Sequence, residues 1–260
     1  MAKSPRICPL ASGSKGNCTY LETEEAKILI DGGLSGKATV EKLQEIGVSI
    51  DEIDAILVTH EHGDHIRGLK VLAGKRGIPL FANAGTAQGI LEELQDRPKM
   101  KIFTTGETFE YADMEIHPFS IQHDTLDPVA FTIQTQGIKI GICTDLGFVT
   151  TLVRGRLKNC NLLILEANHQ ESMVHACSRP LVYKQRVLGR SGHLSNAATG
   201  ALLIDIAHDQ LERVYLAHLS SECNTPDVAM DVIGSILEKE GIKLEMTIAH
   251  QDRVSLVSKF

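Results

Sequence analysis

The chain contains no tryptophan, and aromatic residues make up only 4% of its 260 residues. No apolar run approaches the roughly 18 residues that a membrane-spanning helix needs. The N-terminal stretch "MAKSPRICPLASGSKGN" also lacks the apolar core of a secretory signal. The scarcity of aromatic rings argues against ligand recognition by aromatic stacking. We therefore expect a cytoplasmic protein with no membrane association.

The spacing of the cysteines and the net charge exclude further classes of protein. The six cysteines form no Cys-x-x-Cys pair and show no regular spacing, so we expect free thiols, mostly in the core, rather than a disulfide framework. The formal net charge is −7. The protein as a whole would therefore not attract a polyanion, and any nucleic acid must meet a local basic patch.

Patterns typical of strands and helices alternate along the chain, with no low-complexity linker between them. Short apolar runs predict buried strands at 27–31, 55–60, 78–83, 162–168, 213–218 and 246–250. Helices are predicted at 39–47, ended by Gly47, and at 225–241, begun by Thr225 and Pro226. A hairpin is predicted in 128–145 around Gly137. This alternation predicts a single α/β domain over 1–260, layered and with mixed sheets.

The segment "HEHGDH" places four possible metal ligands just after the apolar run that ends at Val58: His60, His62, Asp64 and His65. Side chains at a strand end that enters a turn can converge on one point. Imidazole and carboxylate together suit zinc, manganese or iron rather than calcium or magnesium alone. The zincin pattern His-Glu-x-x-His is absent, because Asp64 stands four residues after His60. The alternative is a polar loop that happens to be rich in histidine.

With three later residues, this motif resembles the metallo-β-lactamase superfamily: His123 in "FSIQHDTLDP", Asp145 in "GICTDLG" and His218 in "YLAHLS". The segment "ILIDGG", with Asp31, resembles the first and largely structural motif of that superfamily. The resemblance implies an αββα sandwich with two mixed β-sheets and a site for two divalent ions (Zn, Mn or Fe). One ion would be held by His60, His62 and His123, the other by Asp64, His65 and His218, with Asp145 as the bridge. Members that reduce oxygen carry an acidic residue at the position of His62, so the resemblance favours hydrolysis.

Each later residue has a simpler interpretation when it is considered alone. A lone histidine such as His123 is more often a hydrogen-bonded polar residue, and an aspartate after a strand such as Asp145 often caps a helix. The complete set of ligands is what favours metal binding. Four other histidines lack such support and are expected to be structural or surface residues: His117, His175, His208 and His250.

Two ions about 3.5–4 Å apart can hold a bridging water and lower its pKa, which provides a hydroxide nucleophile. We assign Asp64 a catalytic role beside its role as a ligand. The leaving oxygen needs a proton, which ligand histidines cannot easily supply. His193 in "SGHLSN", 25 residues before His218, is the candidate general acid. The alternative is that His193 only forms a hydrogen bond at the start of a helix.

Phosphate binding is predicted next to His193. Ser195 or Asn196 can cap the following helix, and a helix N-terminus suits a phosphate. Residues 146–192 carry seven Lys and Arg against two Glu, a local charge of +5. Arg186 and Arg190 are therefore candidate contacts to a nucleic-acid backbone. An ordinary solvated surface is an equally simple explanation of this charge.

Further segments resemble the YycJ/WalJ group of small exonucleases of this superfamily, among them "LASGSKGNCTYLE", "LILEANH" and "KQRVLGRSGHLSN". In "LILEANH" we expect Glu166, Asn168 and His169 to be supporting residues. The 47 residues between Asp145 and His193 are too few for the inserted domain of β-CASP nucleases, and no Gly/Pro-rich arm of tRNA-processing relatives is evident.

The resemblance implies a binuclear phosphodiesterase that is a 5′ to 3′ DNA exonuclease linked to DNA repair, with DNA as its partner. Three alternatives stay open. The protein could be a thioester or lactone hydrolase of the same fold, or an RNA-processing nuclease. It could also be a nucleic-acid-binding module whose metals are structural.

Overall fold

Two seven-stranded β-sheets face each other in the computed structural model of the protein, which describes residues 4–94 and 97–260. The first sheet contains β1 (Arg6–Ala11), β2 (Cys18–Glu22), β3 (Lys27–Ile30), β4 (Ala55–Leu57), β5 (Leu80–Ala82), β6 (Met100–Ile102) and β14 (Ser258–Lys259). The second contains β7 (Phe109–Tyr111), β8 (Met114–Ser120), β9 (Val129–Thr135), β10 (Ile138–Cys143), β11 (Leu162–Glu166), β12 (Arg213–Ala217) and β13 (Met246–Ile248).

The two sheets have the same internal plan. Their strand orders are β14-β1-β2-β3-β4-β5-β6 and β13-β12-β11-β10-β9-β8-β7. In each sheet one half is antiparallel, whereas β3 to β6 and β10 to β13 run parallel to their neighbours. The predicted mixed sheets are confirmed.

In the part of the chain that the structure describes, eight α-helices cover the sheets: α1 (Gly36–Glu45), α2 (Gly63–Ile66), α3 (Ala84–Leu94), α4 (Thr151–Leu157), α5 (Glu171–Ala176), α6 (Leu181–Leu188), α7 (Asn196–Ile206) and α8 (Pro226–Lys239). A 3₁₀ turn at Ile50–Glu52 and a π-helical stretch at Lys70–Lys75 lie among them. None of the helices that the structure describes is long and apolar enough to cross a membrane.

Strand β3 shows why the buried strands consist of consecutive apolar residues and do not alternate with polar ones. Side chains alternate across a sheet, so Ile28 and Ile30 pack between the two sheets, whereas Leu29 packs against the helices outside the first sheet. The second sheet has an equivalent outer layer, in which Leu202 of α7 and Ile233 of α8 are buried. Both faces of each sheet are thus covered, and the predicted αββα sandwich is confirmed.

The local signals for helix ends and turns operate as expected. Gly47 follows α1 with a φ of +75°, and its N–H binds the carbonyl of Gln44. The hydroxyl of Thr225 accepts from the N–H of Val228 at the start of α8. Gly137, with a φ of +80°, turns the hairpin between β9 and β10.

The fold brings several strand ends to one edge of the sandwich. Strands β3 and β4 are parallel neighbours, as are β10, β11 and β12. Strand β8 runs in the same direction as β10, because both are antiparallel to β9. The loops that leave the carboxyl ends of these strands therefore meet, and this edge is where α/β sheets commonly bind ligands.

Gly33 allows the loop after β3 to approach α2 closely. A Cβ atom at this position would lie 1.6 Å from the carbonyl oxygen of Asp64, so Gly33→Ala must move the backbone that carries Asp64. We expect it to cost about 1–3 kcal/mol and to lower the melting temperature by several degrees. Gly155→Ala is the control, since a Cβ inside α4 meets nothing within 4 Å and alanine favours a helix. Equal melting temperatures for the two variants would contradict this.

Candidate metal centre

Three histidines form the first group of possible ligands at the shared sheet edge. His60 and His62 follow β4 and His123 follows β8, and their ligand atoms lie within 4.8 Å of one another. Nδ1 of His60 lies 3.0 Å from the hydroxyl of Thr59. Nδ1 of His123 lies 3.2 Å from the carbonyl oxygen of Gly192, and its Nε2 lies 3.2 Å from Nδ1 of His62. One ligand atom of each ring is therefore close enough to the others to share a single ion.

The second group combines Asp64, His65 and His218. Nε2 of His65 and Nε2 of His218 lie 3.6 and 3.5 Å from Oδ2 of Asp64. The other nitrogens of the two rings are held by buried carboxylates: Nδ1 of His65 donates to Asp31 at 2.8 Å, and Nδ1 of His218 donates to Glu166 at 2.9 Å. Carboxylates that orient ligand histidines in this way are typical of metal sites.

Asp145 lies between the two groups. Its Oδ2 is 3.1 Å from Nε2 of His65, and its Oδ1 is 3.6 Å from Nε2 of His123. Burial opposes ionisation of this carboxyl group, but the neighbouring His218 and His65 outweigh burial and hold its pKa well below the usual range. Asp145 is therefore a carboxylate placed close to both groups at once, and its bridging role stays a prediction.

The electrostatics of the site favour a cation. Burial, together with the charge of neighbouring imidazoles, lowers the pKa of His60 far below its ordinary value and leaves its ring neutral. Burial also opposes charge on His65, yet Asp31 and Asp145 outweigh it and raise the pKa of His65 to about 10. A proton or a metal ion can satisfy these carboxylates, and the two compete for the same nitrogens.

The donor set fits two divalent ions. Within residues 4–94 and 97–260, three atoms of these groups are buried and have no hydrogen-bond partner: Nε2 of His60, Nε2 of His218 and Oδ2 of Asp145. Each such atom costs about 1–3 kcal/mol when it stays unsatisfied. Coordination to metal would satisfy all three, and nitrogen with carboxylate oxygen suits zinc, manganese or iron.

His193 lies beside the ligands but is held differently. Its Nδ1 donates to Oε1 of Glu166 at 3.0 Å, the same oxygen that accepts from His218. The other oxygen of Glu166 accepts from the N–H groups of Leu146 and Leu194. Burial opposes charge on His193, but Glu166 outweighs it and raises the pKa of His193. Burial likewise opposes ionisation of Glu166, but His193 outweighs it and lowers the pKa of Glu166 to about 2.

A cavity of about 320 Å³, which we call the catalytic cavity, opens these groups to solvent. It is lined by His62, Asp64, His123, Asp145, His193 and His218, with Arg179, Tyr183 and Arg186 from the segment of α5 and α6. Because Nδ1 of His193 is engaged by Glu166, Nε2 is the nitrogen that remains for a group bound in this cavity.

The predicted substrate contacts have different surroundings. Arg186 lines the catalytic cavity and donates through Nε to Asp124 at 2.8 Å. Arg190 lies over the ring of Phe148, with its guanidinium carbon 4.3 Å from the ring centroid. Arg190 is not among the described residues that line the cavity, so its contact to substrate stays a prediction.

The two residues at the start of α7 also differ. The hydroxyl of Ser195 accepts from the N–H of Ala198 and caps the helix. Asn196 is fully buried, and its amide exchanges two hydrogen bonds with the amide of Asn224. A contact between Asn196 and substrate also stays a prediction, and the observed bonds give it a structural role.

Two residues near the ligands were not found by sequence reasoning. Nδ2 of Asn17 lies 3.0 Å from Nε2 of His65 and 3.2 Å from Oδ2 of Asp64. Asp124 lies 3.7 Å from His62 and 3.5 Å from His123. Asn17 ends the segment "ASGSKGN", so its glycine-rich pattern was the available signal, and Asp124 directly follows a predicted ligand.

Asp31 offers a test of the carboxylate that holds a ligand histidine. Asp31→Asn keeps the shape of the side chain and tolerates the observed φ of +63°, but it weakens the bond that orients His65. We expect metal affinity to fall about 10–100-fold, measured by competition with a chromophoric chelator. Asp113→Asn is the control, because Asp113 binds Thr23 and Gln136 and no residue of the two ligand groups among its described partners. Equal affinities would show that Asp31 does not support the site.

Comparison with known proteins agrees with this geometry. Residues 26–219 match the Beta-lactamase superfamily domain. The chain is 36% identical to the exodeoxyribonuclease YycJ of Bacillus anthracis, over 89% of each chain. It is 38% identical to the exodeoxyribonuclease WalJ of Streptococcus pneumoniae serotype 2, over 85% of this chain and 83% of the relative.

Solved structures show the same fold. The metallo-β-lactamase fold protein YhfI from Bacillus subtilis superposes with a TM-score of 0.75 over 99% of this chain and all of the other, at 16% identity. Zn²⁺-bound PqqB from Methylobacterium extorquens superposes with a TM-score of 0.69 at 18% identity. The buried His and Asp groups are typical of the superfamily's binuclear site. The chain belongs to the metallo-β-lactamase superfamily and is a metal-dependent hydrolase.

Proposed function

We propose that the protein is a phosphodiesterase that degrades DNA as an exonuclease. The position of His193 is the observation that carries this proposal. Its ring lines the catalytic cavity next to the candidate metal ligands, and its Nδ1 donates to Glu166. Such a residue serves a substrate whose leaving oxygen needs a proton. The similarity to two exodeoxyribonucleases supports DNA as the substrate. The resemblance to their group supports cleavage from the 5′ end and a place in DNA repair.

The residues at the sheet edge have separate tasks in this mechanism. His60, His62 and His123 would hold one divalent ion and Asp64, His65 and His218 the other, with Asp145 shared between them. Bound ions supply an activated water and neutralise charge on the phosphate oxygens. Asp64 lines the catalytic cavity beside His218, so it would also help to place the attacking water.

His193 completes the reaction. The raised pKa of His193 favours the protonated ring, with Nδ1–H bound to Glu166 and Nε2–H free to donate. As the bond between phosphorus and the leaving oxygen breaks, Nε2 gives its proton to that oxygen. Glu166 stabilises the cationic ring beforehand and keeps its orientation, because its second oxygen is fixed by two backbone N–H groups.

The rim of the catalytic cavity can attract a nucleic-acid backbone despite the net charge of −7. Arg179 and Arg186 line the cavity, and both are at least half exposed. Each pairs with one carboxylate, Glu222 and Asp124 respectively. Phosphates of a strand can exchange with these surface carboxylates at little cost, because exposed ion pairs are weak.

Replacement of His193 tests the mechanism. We expect His193→Ala to keep both ions and to lose about 10²–10⁴-fold in kcat on end-labelled DNA with Mn²⁺ or Zn²⁺. Asp145→Ala should lose metal as well as activity. Metal content is measured by elemental analysis of the purified variants. Equal metal loss in the two variants would contradict the separate roles of His193 and Asp145.

A substrate panel separates the remaining functions. Wild-type protein should hydrolyse labelled DNA faster than labelled RNA and S-lactoylglutathione. Faster turnover of the thioester would favour acyl hydrolysis instead, and faster turnover of RNA would favour RNA processing. Tight DNA binding without turnover under any divalent metal would favour a binding module.

A further inference from the structure

A second cavity of about 320 Å³ lies next to the catalytic cavity. We call it the side cavity. His193 is the residue that lines both cavities among the described residues. The walls of the side cavity are mostly apolar and come from the loop before α4, the end of α6 and the first turns of α7: Phe148, Val149, Leu188, Leu194, Ala198 and Leu202.

We propose that the side cavity binds the nucleoside that carries the leaving oxygen, as a subsite for the 5′-terminal nucleoside of the DNA strand. This inference rests on the proposed function. Hydrolysis that leaves a 5′-phosphate on the remaining strand breaks the bond between phosphorus and the 3′ oxygen. The electron pair of that bond goes to the 3′ oxygen, and the proton of His193 Nε2 joins it to form a 3′ hydroxyl. The water oxygen forms the new bond to phosphorus, and its proton returns to the imidazole.

The position of His193 determines which nucleoside occupies the side cavity. The phosphate must lie in the catalytic cavity, where the two groups of metal ligands converge. A general acid must contact the leaving oxygen. The nucleoside attached to that oxygen therefore extends past His193, and the space beyond His193 is the side cavity. The rest of the strand extends from the phosphate in the other direction, towards Arg179 and Arg186.

The size and lining of the side cavity suit one nucleoside. Its volume lies at the lower end of the roughly 300–1,000 Å³ that is common for ligand sites. Apolar walls with an aromatic ring can pack against either face of any base, which gives binding with little sequence preference. The ring of Phe148 is held by the guanidinium of Arg190.

The edge of the side cavity offers polar groups for the sugar and base. Arg154 and Asp205 pair there at 2.7 Å, and Glu171 also lines the cavity. His169 also lines the cavity, and within residues 4–94 and 97–260 its buried Nδ1 has no hydrogen-bond partner. A small number of polar groups around an apolar pocket is the usual pattern of a small-molecule site.

Filling the side cavity tests this inference. Ala201 is exposed on α7 and lines the cavity, so Ala201→Phe adds a ring without disturbing the core. Ala197 is exposed about one turn earlier on the same helix, and it is not among the described lining residues. Ala197→Phe is therefore the matched control. Ala198→Leu is a second filling variant, from the half-buried wall.

Two measurements are made on each metal-loaded variant. The first is binding of thymidine 3′-monophosphate by calorimetry, since its phosphate is on the oxygen that leaves in the proposed reaction. We expect both filling variants to bind it about tenfold more weakly than wild type and Ala197→Phe. The second is the product ladder from DNA labelled at the 3′ end. The filling variants should lose a similar factor in kcat/KM for removal of single nucleotides from the 5′ end.

The outcomes separate the inference from the proposed function. If wild-type protein hydrolyses no DNA, the proposed function fails. If wild-type protein degrades DNA but the filling variants bind the nucleotide and degrade DNA as well as Ala197→Phe does, the side cavity is not the subsite. Removal of single nucleotides from the 3′ end would also overturn the subsite, because the leaving group would then be the long strand.

Discussion

The carboxylate of Glu166 is the group on which the arrangement of the site depends. One of its oxygens accepts from His193 and from His218, and the other accepts from the backbone of Leu146 and Leu194. A fully buried carboxylate is costly unless several donors surround it, and here four donors do so. The same bonds fix the spacing between His218, a candidate metal ligand, and His193, the proposed proton donor. Loss of one partner would leave the carboxylate short of a donor and would free both rings at once.

Metal sites of this kind need rings that are oriented before the ion arrives. The fold achieves this because parallel strands end together, so three of the candidate ligand histidines have an acceptor on a separate segment of the chain. His65 is held by Asp31 from β3, His123 by the carbonyl of Gly192, and His218 by Glu166 from β11. These partners are far apart in sequence. The rigidity of the centre is therefore a property of the sandwich and not of the motif "HEHGDH" alone.

The contrast between ligands that are neighbours in the chain and contacts that form between distant loops explains which parts of the site could be predicted from sequence. His60, His62, Asp64 and His65 are neighbours in the chain, so their pattern is visible, and the apolar runs located most strands around them. His123, Asp145 and His218 were recognisable only through resemblance. Asn17 and Asp124 were missed because their contacts with ligands form between separate loops. Asn196 looked available at a helix start, but its bonds with Asn224 depend on the packing of α7 beside the loop before α8. Helices α5 and α6 were not predicted, since they are short and pack on a small separate cluster around Val174 and Val187.

In the proposed mechanism, the negative charge around the site requires divalent ions to bind before the phosphate. Four buried or partly buried carboxylates surround the ligand histidines: Asp31, Asp64, Asp145 and Glu166. A phosphate diester entering the catalytic cavity would meet this negative charge, and the arginines at the rim lie farther out and are already paired. Divalent ions are the largest local charges in such a site and reverse its sign. Under the proposed function, phosphate binding in the catalytic cavity is thus conditional on metal binding, whereas binding of an uncharged nucleoside in the apolar side cavity would not depend on that reversal. In the proposed mechanism, the two cavities on either side of His193 separate electrostatic recognition of the backbone from apolar recognition of the base.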